Sequence, residues 1–309
     1  MKRFFTCGAV ACVLGIAGCD KASEASAPAA SRLAFTAENG SNAFAYVVGL
    51  VENCTPRDAM TPGAERAAKW LQAQLAAQGI TAELDRFTSD TPEGSRGFVN
   101  VTAFLPGTKT NQTIVLLSHF DTKSGISEDF QGANDSGSST GLLLELARVI
   151  KANGFQHNIL CAFTDGEECH VQYGVNDGLH GSRHLADKLK RAKTKVKAVI
   201  LTDMIGDRDL NIMVPHNGTG WLRALALKAA DATGDRAFIA LYDGGILDDH
   251  QPFLDAGFPA VNLIDFKFGS SPGANDYWHT PEDSLDKICP ESLTITGRIV
   301  TEMLNLLQQ

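Results

Sequence analysis

The sequence holds no C-x-x-C pair, no H-E-x-x-H and no glycine-rich phosphate loop. Thiolate-clamped zinc, the helix-borne zinc protease motif and P-loop or dinucleotide binding therefore lack their signatures. Basic charge is also short: 27 Lys and Arg stand against 36 Asp and Glu, a formal net charge of -9. An acidic surface repels phosphate backbones, which argues against nucleic acid as a partner. The apolar run at Phe4–Ala17 is too short to span a bilayer as an ordinary helix.

That run follows Met1-Lys2-Arg3 and ends Ile16-Ala17-Gly18-Cys19, the layout of an export signal over residues 1–18. Small residues before a cysteine resemble a bacterial lipobox, so Cys19 is expected to carry lipid and anchor the chain to a membrane. Plain signal cleavage with an incidental cysteine is the alternative. Asp20 resembles an inner-membrane retention signal. A tether rich in Ala and Ser is expected over residues 19–36, leaving an exported, periplasmic or cell-surface protein with its folded part at 37–309. Of seven cysteines, Cys54, Cys161, Cys169 and Cys289 remain in that part, and sequence alone pairs none of them.

Composition is ordinary for a globular chain, with 44% hydrophobic residues, and the length of 309 suits one large domain. Spacing predicts helices over 64–77, 141–150, 222–232, 251–255 and 290–307, and strands over 98–105, 113–118, 158–163, 196–202 and 260–264. Ile114-Val115-Leu116-Leu117 is apolar throughout, as a strand covered on both faces requires. The expected fold is a single α/β domain, with a mostly parallel central sheet sandwiched by helices. Such sheets bind ligands beyond the carboxyl ends of their strands.

The buried strands lead into polar clusters: His119-Phe120-Asp121, Asp165-Gly166-Glu167-Glu168 and Asp203, with His279 arriving from a later loop. Four segments thus deliver acids and imidazoles to one rim, the nitrogen and oxygen set that zinc takes. Asp135 lies among small residues in Gly132-Ala133-Asn134-Asp135-Ser136-Gly137, where the backbone can crowd an ion; capping the following helix is the competing role. Adjacent carboxylates at Glu167 and Glu168 repel unless a cation offsets them, though a solvated acidic turn would also tolerate the pair. Trp278 before His279 makes a loop that presents a wall and a ligand together. His157, His170, His180, His184, His216 and His250 read as structural, His250 least securely because Asp248-Asp249 precede it.

From about residue 40 onward these motifs resemble the M28 metallopeptidase superfamily, and within it the glutaminyl cyclase branch. The resemblance rests on His119-Phe120-Asp121, Gly132-Ala133-Asn134-Asp135-Ser136, Glu167-Glu168, Gly181-Ser182-Arg183-His184-Leu185-Ala186, Asp203, Asp248-Asp249-His250-Gln251-Pro252-Phe253-Leu254 and Trp278-His279-Thr280. It implies Asp135, Glu168 and His279 as zinc ligands, Glu167 as acid/base, and Asp203 and Asp248 as carboxylates sharing protons with it. In the aminopeptidases of the superfamily, His119 and Asp203 match ligands of a second zinc bridged by Asp135. One Zn2+ is expected and two are possible. Tyr173 stands where the cyclases place a Trp wall, and Ser118 where the animal enzymes carry a paired Cys, so that disulfide is missing.

Two reactions follow from the resemblance. A cyclase would convert N-terminal glutamine of peptides or proteins to pyroglutamate with ammonia release, Trp278 and Tyr173 lining the slot for the glutamine stem. An aminopeptidase would use the same Glu167 to activate water and hydrolyse N-terminal residues. A lipid-anchored binding protein with a degenerate site is a third reading, disfavoured because every ligand type is retained.

Overall fold

The structure, a computed structural model, describes residues 1, 2, 4 and 32–309. Cys19 and nearly all of the expected signal segment lie outside the described residues. The end of the expected tether, however, is packed. Leu33 and Phe35 are buried, at 3% and 5% exposure. Asn305 grips Leu33 at both its N–H and its C=O, at 2.8 and 2.9 Å. Leu33 and Phe35, within the stretch expected as tether, thus pack on the folded body.

Eight strands form one mixed sheet: β1 Ala82–Thr91, β2 Gly94–Leu105, β3 Thr113–His119, β4 Asn158–Thr164, β5 Val196–Asp203, β6 Ile212–Pro215, β7 Ile239–Tyr242 and β8 Ala260–Ile264. Their spatial order is β1-β2-β4-β3-β5-β8-β6-β7. The four central strands, β4-β3-β5-β8, are parallel, while β1–β2, β2–β4 and β6–β8 pair antiparallel. All seven residues of β3 are buried, which accounts for its unbroken apolar run.

Successive β3 side chains serve opposite faces. Ile114 and Leu116 join the larger core with helices α1 (Ala37–Cys54), α2 (Pro62–Ala77), α3 (Ser139–Asn153), α5 (Gly220–Thr233) and α7 (Pro290–Leu307). Val115 and Leu117 join the smaller core with α4 (His180–Arg191) and α6 (Gln251–Asp255). Each wholly buried leucine of this kind contributes about 2 kcal/mol by leaving water. Among the described residues no helix is long and apolar enough to cross a membrane.

Five strands and helices, α1, α4, β1, β6 and β7, have no counterpart in the sequence reading. Helix α1 starts at a Thr36 cap that exchanges hydrogen bonds with Asn39, an Asn variant of the usual Glu or Gln box. Strand β1 is a half-exposed edge, and α4 is so polar that its apolar face is only Leu185, Ala186 and Leu189. Neither carries a long apolar period.

Candidate metal centre

Because β4, β3, β5 and β8 are parallel, their carboxyl ends share one rim. His119 closes β3, Asp203 closes β5, and Asp165–Glu168 follow β4 directly. Asp135 comes from the turn at 133–138 before α3, where its φ and ψ of −103° and 94° break the helical path. Its carboxylate caps no helix, since Ser138 holds the N-cap of α3. His279 and Asp248 arrive from loops beyond β8 and before α6.

The structure brings Asp135, Glu168 and His279 together. His279 Nε2 is 2.8 Å from Glu168 Oε1 and 3.4 Å from Asp135 Oδ2. A second triad shares Asp135: His119 Nε2 lies 3.2 Å from Asp135 Oδ1 and 3.3 Å from Asp203 Oδ1. Within each triad one donor atom per residue lies within 4.8 Å of the others. His119 is wholly buried with three carboxylates around it, yet neither ring nitrogen makes a hydrogen bond, and Asp203 Oδ1 lacks one too. Buried donors and acceptors left unpaired cost free energy. Imidazole nitrogen and carboxylate oxygen in such a cluster fit a zinc ion, which would take up those lone pairs.

Two further carboxylates aim the ligand loops through the backbone. Asp121 accepts the N–H groups of Glu167 and Glu168, each at 3.2 Å. Asp283 accepts those of Asn134 at 2.7 Å and Asp135 at 3.0 Å. Fully buried Arg57 donates to the carbonyls of Phe120 at 2.6 Å, Gln131 at 2.5 Å and Gly132 at 2.6 Å, joining the His119 and Asp135 loops. Gly132 has φ of +51°, and a Cβ there would meet Asp135 O at 2.5 Å, so glycine is needed for the close turn.

Glu167 belongs to neither triad but lines the same cavity of about 280 Å3, with Asp248, Asp203, Tyr173 and Trp278. Burial pushes its carboxyl well above the usual range; Glu168, Asp248 and Asp249 reinforce this, and His119 opposes it. Burial likewise raises Glu168 to about 7 and Asp248 well above its ordinary value. For His279, burial alone would lower the value, but contacts with Asp135 and Glu168 carry it up to about 9. Five carboxylates and no Lys or Arg line the cavity, a field that attracts cations. A larger cavity of about 470 Å3 lies by Phe104, Leu160 and Leu189, but it gathers no such donors.

Trp278 stacks on the His279 ring at 3.9 Å and meets Phe266 edge-on at 4.9 Å, forming the apolar wall. Tyr173 faces the acids instead: its hydroxyl lies 3.1 Å from Glu167 Oε2. Phe266, Met204, Ile246 and Asn262 were not anticipated. Asn262 donates to Asp248 at 2.6 Å from inside β8, where it reads in sequence only as a polar break in an apolar strand. Of the six histidines read as structural, none enters either triad. His250 is fully buried with both ring nitrogens unpaired. Cys54, Cys161, Cys169 and Cys289 are free and buried.

Known proteins resemble the chain along most of its length. The family model for peptidase family M28 matches residues 100–304. A glutaminyl-peptide cyclotransferase-like protein of Bos taurus is 32% identical over 276 residues, 79% of this chain and 70% of that one. The crystal structure of an Acidobacteriales bacterium glutaminyl cyclase superposes with a TM-score of 0.84 at 37% identity, covering 92% of this chain and 98% of that one. A Zn-dependent exopeptidase from Parabacteroides distasonis reaches a TM-score of 0.77 at 23% identity, covering 89% of this chain and 99% of that one, a likeness of fold alone.

Proposed function

Since this chain belongs to peptidase family M28, within its glutaminyl-peptide cyclotransferase branch, we propose that it is a zinc-dependent glutaminyl cyclase. It converts N-terminal glutamine of peptides or proteins to pyroglutamate and releases ammonia. One observation carries the reading beyond kinship: Glu167 sits beside ligand triad member Glu168, buried and outside both triads, free to hold a proton.

Asp135, Glu168 and His279 would hold the ion. When bound, zinc supplies Lewis-acid polarisation of the substrate's γ-carboxamide. The cavity residues do the rest. The acidic walls draw in the substrate's α-ammonium, and Trp278 with Phe266 excludes water around the glutamine stem. Held in this slot, the α-amine reaches the carbon of its own side-chain carboxamide, so the N–C bond that closes the five-membered ring forms as the C–NH2 bond breaks, helped by positioning. Glu167 takes a proton from the amine and passes it to the departing ammonia. Asp248, fixed by Asn262, raises the proton affinity of Glu167 by like-charge proximity, and Asp203 stands on the same cavity wall to share protons with it.

The second triad, His119-Asp135-Asp203, favours a two-ion aminopeptidase as the other reading. Incubating the purified domain with Gln-Ala and Leu-Ala peptides separates the two. Ammonia loss from the first supports the cyclase; cleavage of the second overturns it.

For placement in the cell, the chain is read as an exported lipoprotein: a signal over 1–18, lipid on Cys19, and a tether over 19–36 whose last part, at Leu33 and Phe35, packs on the folded body. Cys19→Ala should abolish labelling by a clickable fatty acid; persistent labelling would remove the anchor.

A further inference from the structure

Tyr173 occupies the loop that runs from Glu168 to α4, and the loop is built around it. The Asp177 carboxylate accepts the N–H groups of His170, Val171 and Gln172 at 2.6, 2.8 and 2.9 Å, fixing the three residues before the tyrosine. Gly174 N–H donates to Asp177 O at 2.9 Å and closes the loop behind it. Arg183, from α4, donates to the carbonyls of Gly174 and Val175 at 2.7 and 2.9 Å. Gly178 has φ of +76°, and a Cβ there would stand 2.5 Å from Tyr173 Cδ1. Only glycine lets the ring lie so close to the chain.

The hydroxyl so delivered lies 3.1 and 3.3 Å from the two oxygens of Glu167 and 3.4 Å from Glu168 Oε2. A phenol has one proton to donate, and its nearest acceptor is Glu167. The two glutamates are neighbours in sequence, so a cation held by Glu168 would also draw Glu167 toward it. A Glu167 captured as a ligand could no longer serve as base.

We propose that Tyr173 is a positioning residue whose hydroxyl holds the Glu167 carboxylate away from the metal and in line for proton transfer. The ring serves as cavity wall, but the O–H is what separates base from ligand. This rests on the cyclase reading for the role of Glu167, though the geometry serves any reaction in which Glu167 is the base.

Tyr173→Phe tests it, because the wall stays and only the hydroxyl goes. With a Gln-Ala peptide, kcat should fall about tenfold, the size of losing a hydrogen bond to a charged group, with KM within about twofold. Zinc content should stay at the wild-type level. Tyr173→Leu removes the wall as well and should raise KM in addition. In a Glu167→Gln background the hydroxyl's removal should cost nothing further. Wild-type kcat in Tyr173→Phe, zinc lost together with kcat, or a further loss in the double variant would each overturn the proposal. A wild-type protein that releases no ammonia but splits Leu-Ala would refute the cyclase reading alone. The same variants are then measured on Leu-Ala, with the same outcomes deciding.

Discussion

Asp283 accepts the backbone N–H of Asp135 at 3.0 Å from within the loop that carries His279, so one buried carboxylate sets two ligand-bearing segments in register. Outer partners of this kind typically govern metal affinity by about 10- to 100-fold. Asp283→Ala should therefore weaken zinc binding by about that factor, with a loss of about 1–3 kcal/mol in stability from the two unmet N–H groups. Titration with a chromophoric zinc chelator measures the first and denaturant unfolding the second. Unchanged affinity in a folded variant would reduce Asp283 to a packing residue.

Glu167 and Asp135 divide the labour of base and ligand, and their variants should separate. Glu167→Gln should keep its zinc and lose at least about a hundredfold in kcat, as removal of a general base does. Asp135→Ala should lose zinc and activity together, since Asp135 belongs to both triads. Metal content by atomic emission beside kcat tells them apart. Glu167→Gln protein purified without metal would contradict the division.

Trp278 is predicted to act on binding and not on proton transfer. Its ring touches His279 and Phe266, while Glu167 is held by other contacts. Trp278→Ala should raise KM for glutamine peptides about tenfold, the worth of a lost aromatic contact of about 1.5 kcal/mol. A KM equal to wild type would take it out of the pocket.

How much of this could be read from the chain alone divides along physical lines. The central strands were legible because a strand buried on both faces must be apolar throughout, as Ile114–Leu117 are. Clusters at their ends were legible because parallel strands bring their carboxyl ends together. Edge strand β1 and helix α4 escaped because their stability comes from neighbours more than from their own apolar period. Asp283, Asp121 and Arg57 escaped for a different reason: they act on backbone N–H and C=O groups, and no residue pattern records which amide a distant side chain will meet. Tyr173 was placed at the wall of the pocket, but its hydroxyl's direction depends on Gly178 and Asp177 together.

His250 should make the fold acid-sensitive. Burial lowers its pKa to about 4, against an ordinary 6.5, with only Asp255 opposing. The neutral ring is the folded form, so its contribution is complete above pH 6.5 and is lost as pH falls toward 4. Across that window wild type should lose about 3 kcal/mol more than His250→Leu, which has no proton to take up. Unfolding at pH 7 and pH 4.5 gives the comparison. Parallel losses in the two proteins would show that His250 titrates normally.

The hydrogen bond between His279 and Glu168 spans 111 residues of chain, and that between Asp283 and Asn134 spans 149. A zinc finger can seize its ion with a few neighbouring side chains and fold around it. Here no short stretch of the polypeptide contains a whole triad, so an ion would find its ligands together only once the strands that carry them have paired. Metal uptake thereby becomes a certificate of completed folding. A chain that misassembles would stay inert, without the joined segments that could hold an ion.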